Sequence, residues 1–523
     1  MPTIDLKSKT AQGFFWGALN NGAMQVLNAV FGIVLARKLD QADYGLIGML
    51  TIFTLIANSL QDSGFVTALT NKRNATHHDY NAVFWFNISV SLFLYLLFFC
   101  CAPLIADFFH EPILTPLSRY FFISFFIASF SIVPRAILFR QMKQRELAIM
   151  AIVSLLVSGT VGIVMAYNGM AFWGLATQTI TFNLMVSIIS WIFSGWKPRY
   201  PLSCKNYAGS LSSENKPDGL PPHYGGGFGE RVFSFFSPIR EMFGFSSKML
   251  ITSIFNQVNN NIFSLVLGKI YTKVEVGTYT QANKWNTMGA STITGMVQGV
   301  AQPAFVEVGD DLERLRRVFS KMLRFTCFVS FPVMFGLSLV APEFIVTLIK
   351  EKWLPSAHLM QILCIGGAFL PIATLYFNLI ISRGKSDVYM WNVIAQGCAI
   401  LGSILMVYAM GGTITMMVIS YVAIVILWVG IWHIFLYQEI RYPFLSALKD
   451  ILPFLLVAAV TMVITYFATL QLSTLNSQLS TANRLLILLI TRILLATIIY
   501  IGLLWLFGAK ILKECIGYLL KKK

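Results

Sequence analysis

Stretches of twenty or more mainly apolar residues recur along this chain and limit what it can fold into. About twenty apolar residues in a helix cross a bilayer, where only helices and closed barrels satisfy the backbone polar groups. Fourteen such stretches occur, at 12–36, 44–68, 81–106, 117–139, 145–167, 170–193, 242–267, 276–303, 318–342, 359–382, 387–409, 412–435, 450–470 and 484–508. The pattern predicts an all-α polytopic membrane protein with about 14 transmembrane helices.

The composition agrees with a membrane protein and argues against a nucleic-acid-binding protein. Charged residues make up 12% of the chain, against roughly 25% in soluble domains. The net charge is +16, but the cations recur in short groups between apolar stretches rather than on one surface. The seven cysteines show no metal-binding or redox spacing, and we expect no cofactor and no bound metal.

The lysines and arginines predict the orientation of the chain in the membrane. Alternate connections, which include both termini and the segment 194–241, carry about 26 of them, and the opposite connections carry about seven. Cytoplasmic loops are enriched in these residues. We therefore expect a multi-pass membrane protein with both termini in the cytoplasm.

Two distant segments, "LARKLDQADYG" at 35–45 and "LGKIYTKVEVG" at 267–277, predict an internal repeat. An offset of 232 residues aligns Gly45 with Gly277 and also aligns polar residues inside two predicted membrane helices. The repeat predicts two parallel, pseudo-symmetric six-helix lobes related by an axis along the membrane normal. We expect an N-terminal lobe at 1–193, a cytoplasmic linker at 194–241, a C-terminal lobe at 242–437, and two extra helices with a basic tail at 438–523.

Polar side chains share helix faces inside these apolar stretches and suggest a hydrated cavity between the lobes. Lipid does not satisfy amide groups, and an intramembrane lysine usually serves a pathway. The alternatives are hydrogen bonds between helices and, for the lysine, an ammonium group that reaches the outer surface. The candidate cavity residues are Lys284, Asn21, Gln25, Asn28, Gln257, Asn260, Gln298 and Arg492, and Asp62 is the candidate for ion coupling.

Several motifs resemble those of the Wzx-type polysaccharide exporters, members of the multidrug/oligosaccharidyl-lipid/polysaccharide flippase superfamily. They are "LARKLDQADYGLIGM" at 35–49, "DSGF" at 62–65, the stretch 267–285 and "EKWLPSA" at 351–357. The resemblance implies a flippase that moves an undecaprenyl-pyrophosphate-linked oligosaccharide across the inner membrane by alternating access, for surface polysaccharide or lipopolysaccharide biosynthesis. The implied partners are this substrate, membrane lipids, H⁺ or Na⁺, and the polysaccharide polymerase machinery.

Two other functions stay open at this point. A multidrug/cation antiporter of the same superfamily would also have two six-helix lobes, although usually with acidic drug sites. A membrane-embedded glycosyltransferase or ligase would need carboxylate or histidine groups near one surface. The short predicted outer loops favour a transporter over an enzyme.

Overall fold

The structure is a computed structural model that describes residues 22–62, 76–141, 143–198, 237–309, 311–475 and 481–506. These residues form helices and no strands. The helices are α1 (22–38), α2 (Gln41–Asp62), α3 (His77–Phe109), α4 (Leu114–Phe121), α5 (Ile123–Ser129), α6 (Ile132–Arg140), α7 (Gln144–Tyr167), α8 (Ala171–Ser194), α9 (Ser237–Ile270), α10 (Lys273–Val308), α11 (Leu312–Ile349), α12 (Leu354–Gly367), α13 (Leu370–Ser382), α14 (Ser386–Ala409), α15 (Ile414–Ile440), α16 (Phe444–Leu475) and α17 (Thr481–Leu506). A single 3-10 turn, Glu351–Trp353, separates α11 from α12.

Eleven helical segments within these described ranges are long and apolar enough to cross a membrane. They coincide with eleven of the predicted stretches, so the polytopic all-α class is confirmed. The other three predicted stretches correspond to α1, α9 and α10, which carry many of the polar residues noted above. Helices α9 and α10 contain 34 and 36 residues, so each is about 50 Å long. The count of fourteen transmembrane helices stays a prediction.

Polar residues at helix starts explain where several helices begin. Thr76 and Asp79 form a capping box at α3, in which the Asp79 carboxylate accepts from the Thr76 N–H at 2.8 Å. At α11 the Asp311 carboxylate accepts from the Arg314 N–H at 2.9 Å. Such caps satisfy N–H groups that have no partner within the helix.

The helices form two compact units. Unit 1 comprises Met1–Leu39 and Leu46–Asn261, and unit 2 comprises Asp40–Gly45 and Ile262–Lys523. The boundaries fall inside α2 and α9, so the first turn of α2 belongs to unit 2. The four predicted domain ranges stay a prediction.

Aromatic packing dominates the interior of unit 1 near the start of α3. The Phe84 ring lies edge-on to Trp191 and Trp196, with centroids 5.7 and 5.3 Å apart. The Trp191 indole also donates to the Phe130 carbonyl at 2.8 Å. Large buried rings of this kind bury much apolar area and prefer edge-to-face contacts.

In unit 2, α10 packs against α11, α12 and α13, while α11 also packs against the two C-terminal helices, α16 and α17. The Ser320 hydroxyl of α11 donates to Asp450 of α16 at 2.5 Å. The Tyr500 hydroxyl of α17 donates to the Phe328 carbonyl of α11 at 2.9 Å. The C-terminal helix pair is therefore joined to α11 by hydrogen bonds as well as by apolar contacts.

Candidate functional site

The two segments of the predicted repeat adopt the same local structure at the starts of α2 and α10. The Asp43 carboxylate accepts from the Asp40 N–H at 2.9 Å. At the equivalent position, the Glu275 carboxylate accepts from the Thr272 N–H at 3.0 Å. An acidic residue in the first turn also interacts favourably with the helix dipole. The acidic residue of each segment therefore caps a helix.

The glycine that ends each segment allows the two helix starts to cross within unit 2. A methyl group on Gly45 would lie less than 3.0 Å from the Lys273 carbonyl, and one on Gly277 would overlap the Gln41 carbonyl. Gln41 and Lys273 are themselves equivalent at the 232-residue offset. The contact is thus reciprocal. Gly45 lies against the main chain of Lys273, and Gly277 lies against the main chain of Gln41, the residue equivalent to Lys273.

The 3-10 turn Glu351–Trp353 also contacts the start of α2, next to the glycine crossing. The Lys352 ammonium group lies 2.7 Å from the Asp40 carboxylate. The Gln41 side-chain amide donates to the Lys352 carbonyl at 2.6 Å. The Tyr44 ring lies edge-on to Trp353, with centroids 5.4 Å apart. The crossing therefore combines backbone, polar and aromatic contacts in unit 2.

One face of α10 carries a row of polar side chains. Lys284 is half-buried, whereas Thr287, Ser291 and Gln298 are exposed, and their spacing places all four on one face. Open space surrounds Gly295 on the same face, with no atom within 4 Å of a Cβ placed there. The Lys284 ammonium group lies 6.0 Å from the Trp285 ring centroid. We call this surface the α10 polar face.

The other predicted cavity residues are placed on several different helices. In unit 1, Gln25 and Gln257 are half-buried and Asn28 is exposed. Asn21 lies outside the described residues, and so do the side chains of Asn260 and Asp62. The cavity role of these residues and the coupling role of Asp62 stay predictions.

Arg492 lies in the interior of unit 2, where it forms an ion pair that the sequence did not predict. Its guanidinium group lies 2.7 Å from the Glu343 carboxylate of α11, and both side chains are almost fully buried. It also donates to the Thr469 hydroxyl at 3.1 Å and to the Leu339 carbonyl at 3.4 Å. Arg492 therefore links α17 to both α16 and α11.

The buried face of α10 contains further polar groups that the sequence reasoning missed. Gln281 is fully buried, and neither atom of its side-chain amide has a hydrogen-bond partner among the described residues. Trp285 packs against Phe344 of α11 with ring centroids 5.1 Å apart, while its indole N–H finds no hydrogen-bond partner in the part of the chain that the structure describes. The signal in the sequence was the spacing, since Gly277, Gln281 and Trp285 recur every fourth residue.

The described residues contain no cluster of three or more histidine, cysteine, aspartate or glutamate side chains with metal-binding geometry. The α10 polar face instead presents hydrogen-bond donors, among them the ammonium group of Lys284. Such groups suit an anionic or hydroxyl-rich ligand.

Comparisons with known proteins identify relatives in polysaccharide biosynthesis. A family described as "Polysaccharide biosynthesis protein" matches residues 34–212 and 231–358. The lipopolysaccharide biosynthesis protein WzxC of Escherichia coli (strain K12) is 24% identical over 391 residues, which cover 75% of this chain and 73% of that protein. The teichuronic acid biosynthesis protein TuaB of Bacillus subtilis (strain 168) is 23% identical over 395 residues, 75% of each chain.

Solved structures of two transporters share the fold. The lipid II flippase MurJ in an inward closed conformation matches with a TM-score of 0.67 and 14% identity, over 94% of this chain and 99% of that one. An inward-facing multidrug resistance transporter of the MATE family in the MOP superfamily matches with a TM-score of 0.57 and 14% identity, over 81% of this chain and 98% of that one. At this identity the likeness concerns the fold.

Proposed function

Because this chain belongs to the polysaccharide biosynthesis protein family, we propose that it is a flippase for a lipid-linked oligosaccharide. The substrate is an undecaprenyl-pyrophosphate-linked oligosaccharide, which moves from the cytoplasmic to the outer leaflet of the inner membrane by alternating access. The family membership confirms the resemblance found in the motifs. The names of the relatives, which refer to lipopolysaccharide and teichuronic acid biosynthesis, support a precursor of a surface polysaccharide.

The α10 polar face is the observation that carries this proposal. Four polar side chains lie along one face of α10, where Lys284 is half-buried and the other three are exposed. A lysine within a membrane helix costs about 2.5–3.5 kcal/mol on insertion scales, so this face is unstable against acyl chains. Water or a polar substrate would remove this cost. A pyrophosphate group would in addition form charge-assisted hydrogen bonds with Lys284.

The membrane potential favours export of such an anion. Each elementary charge that crosses 100 mV gains or loses about 2.3 kcal/mol. When the cell interior is negative, outward movement of an anionic pyrophosphate lowers its electrical free energy. H⁺ or Na⁺ coupling would then serve mainly to return the empty carrier, with Asp62 as the first acidic residue to test.

The distribution of lysines and arginines supports cytoplasmic termini. The transport role supports the absence of enzymatic activity.

The test of this function is a transport assay on variants of Lys284. The protein is reconstituted in vesicles with a fluorescent undecaprenyl-pyrophosphate oligosaccharide, and its transfer between leaflets is measured. Lys284→Ala should reduce the rate at least tenfold, whereas Lys284→Arg, which keeps the charge, should retain part of it. Lys385→Ala is the matched control, because Lys385 is an exposed lysine in the turn before α14.

Three outcomes separate the proposal from its alternatives. Unchanged transfer by Lys284→Ala would refute the role of the α10 polar face. Transfer of organic cations but not of the oligosaccharide by the unmodified protein would favour a multidrug antiporter. Covalent change of the oligosaccharide during the assay would favour a glycosyltransferase or ligase.

A further inference from the structure

An arginine near one end of unit 1 is held in place by α3. The guanidinium group of Arg119, in α4, lies 4.5 Å from the centre of the Phe99 ring. Its Nε–H also donates to the Phe99 carbonyl oxygen at 3.3 Å. The Tyr95 hydroxyl, one turn earlier on α3, donates to the Arg119 carbonyl at 3.4 Å. Both the main chain and the side chain of Arg119 are therefore fixed against α3.

The sequence of α3 explains why the Phe99 carbonyl is open to this contact. In a regular helix this carbonyl would accept from the N–H four residues later. That residue is Pro103, which lies inside α3 and has no N–H. The Nε–H of Arg119 takes the place of the missing donor. Because the arginine also stacks on the ring of the same phenylalanine, the two contacts together restrict the orientation of its planar group.

The terminal amino groups of Arg119 stay available to a ligand. An arginine side chain carries five N–H donors, and only the Nε–H of Arg119 finds an acceptor within the described ranges. No carboxylate in the described part of the chain forms an ion pair with it. A guanidinium group in this state can bind two oxygens of one phosphate through parallel, charge-assisted hydrogen bonds.

The depth of Arg119 matches the edge of the hydrocarbon layer. The span Leu114–Arg140 contains 27 residues, about 40 Å as a continuous helix against about 30 Å of hydrocarbon. Arg119 comes about 8 Å after its start. Helical side chains lean toward the N-terminus of their helix, which for α4 is the end beside the turn from α3. The guanidinium group is thus directed toward the membrane surface at that turn.

Exposed apolar side chains continue from this point toward the middle of α3. Leu92, Leu96 and Phe99 are exposed, and their spacing of four and three residues places them on one face. The row begins at the ring that holds Arg119 and runs into the hydrocarbon layer. A cation at the membrane surface above an apolar row fits an amphiphile with an anionic head and an acyl chain better than a free anion.

We propose that Arg119 and this row of α3 bind a phospholipid of the membrane. The phosphate accepts from the terminal amino groups of Arg119, and one acyl chain lies along Leu96 and Leu92. The site belongs to unit 1 alone, whereas the α10 polar face belongs to unit 2. The lipid is a bound neighbour of the protein, and its site is independent of the substrate proposed for transport.

Lipid titration followed by native mass spectrometry tests this site. The purified full-length protein is titrated with phosphatidylglycerol, and the dissociation constant of the tightest bound lipid is measured. Arg119→Leu should weaken this binding about tenfold, since it removes hydrogen bonds to a charged group. Arg119→Lys keeps the charge without the planar fork and should recover part of the affinity. Phe99→Leu keeps the row apolar but removes the stacked ring, and it should also weaken binding.

Arg135→Leu is the matched control. Arg135 is an exposed arginine near the opposite end of the same span, and its guanidinium group makes no ring contact or hydrogen bond to the described residues. Its replacement should change the affinity about threefold or less. Equal losses for Arg119→Leu and Arg135→Leu would mean that lipid is attracted by charge alone, and would overturn the proposal.

Three further ligands identify the source of the phosphate. Diacylglycerol, which has the acyl chains without the phosphate, should bind about tenfold more weakly than phosphatidylglycerol. Inorganic phosphate should not displace the bound lipid, and displacement would indicate a site for free anions instead. Preferential binding of undecaprenyl phosphate over phosphatidylglycerol would assign the site to an isoprenoid lipid. Either of these results, or unchanged lipid affinity of Arg119→Leu, would refute the phospholipid site.

Discussion

Replacement of Arg492 by methionine should destabilise unit 2 strongly, because it removes one member of a buried ion pair. The guanidinium group and the Glu343 carboxylate are 2.7 Å apart, with side-chain exposures of 7% and 9%. Within the described ranges, one oxygen of that carboxylate has no hydrogen-bond partner. Arg492→Met would therefore leave the Glu343 carboxyl group buried without the guanidinium group that pairs with it.

The expected magnitude follows from this burial. Removal of one partner from a buried ion pair typically costs about 3–5 kcal/mol. A destabilisation of 1 kcal/mol lowers the melting temperature by about 2 °C in a unit of this size. Arg492→Met should thus lower the melting temperature of the purified protein by about 6–10 °C.

A second, compensated variant separates the ion pair from simple loss of packing. The double variant Glu343→Leu with Arg492→Met removes both charges, and an apolar pair of similar volume is often neutral or stabilising. It should recover most of the lost melting temperature. Arg484→Met, on the same helix but half-buried, is the control and should shift the melting temperature by about 1 °C or less. If the losses of melting temperature caused by Glu343→Leu alone and by Arg492→Met alone simply add in the double variant, the two side chains do not interact and the ion-pair explanation is refuted.

Two further predictions concern the glycine crossing and the turn between α15 and α16. Gly277→Ala should lower the stability of the protein by about 1–3 kcal/mol in thermal unfolding, since its methyl group would overlap the Gln41 carbonyl. Gly295→Ala, where space is open, should be neutral or slightly stabilising, and equal losses for both variants would contradict the crossing. Burial, together with the hydrogen bond to Asp450, raises the pKa of Tyr442 from 10.0 to about 12. The folded state therefore favours the neutral phenol, and the stability that this provides is present below pH 10 and is lost between about pH 10 and 12. Tyr442→Phe should flatten this alkaline decline in the melting temperature, and an identical decline would exclude Tyr442 as its source.

The fold class could be predicted from the sequence because length and apolarity alone decide whether a helix can cross a membrane. α1, α9 and α10 show the limit of this signal, since they contain the polar residues that lower their hydropathy. The capped starts of α2 and α10 were also visible, because an acidic residue and a glycine recur at the same spacing. The alignment showed that these residues correspond, but not that Gly45 and Gly277 face each other.

The polar contacts in the interior of unit 2 were harder to predict. Arg492 was recognised as an unusual intramembrane cation, but its partner Glu343 lies far away in sequence, at the end of another apolar stretch. Pairing between such distant residues depends on how α11 and α17 pack, which hydropathy does not encode. Gln281 was missed for a related reason. Its burial results from the helices that pack against α10, which the pattern of a single helix does not reveal.

The reciprocal glycine crossing has a consequence for genetic screens. At both positions the obstacle to a larger residue is main-chain carbonyl oxygen, which every amino acid carries. A defect at Gly45 or Gly277 therefore has no intragenic suppressor that acts by trimming an opposing side chain. Revertants should be restricted to restored glycine or to distant substitutions that move a whole helix.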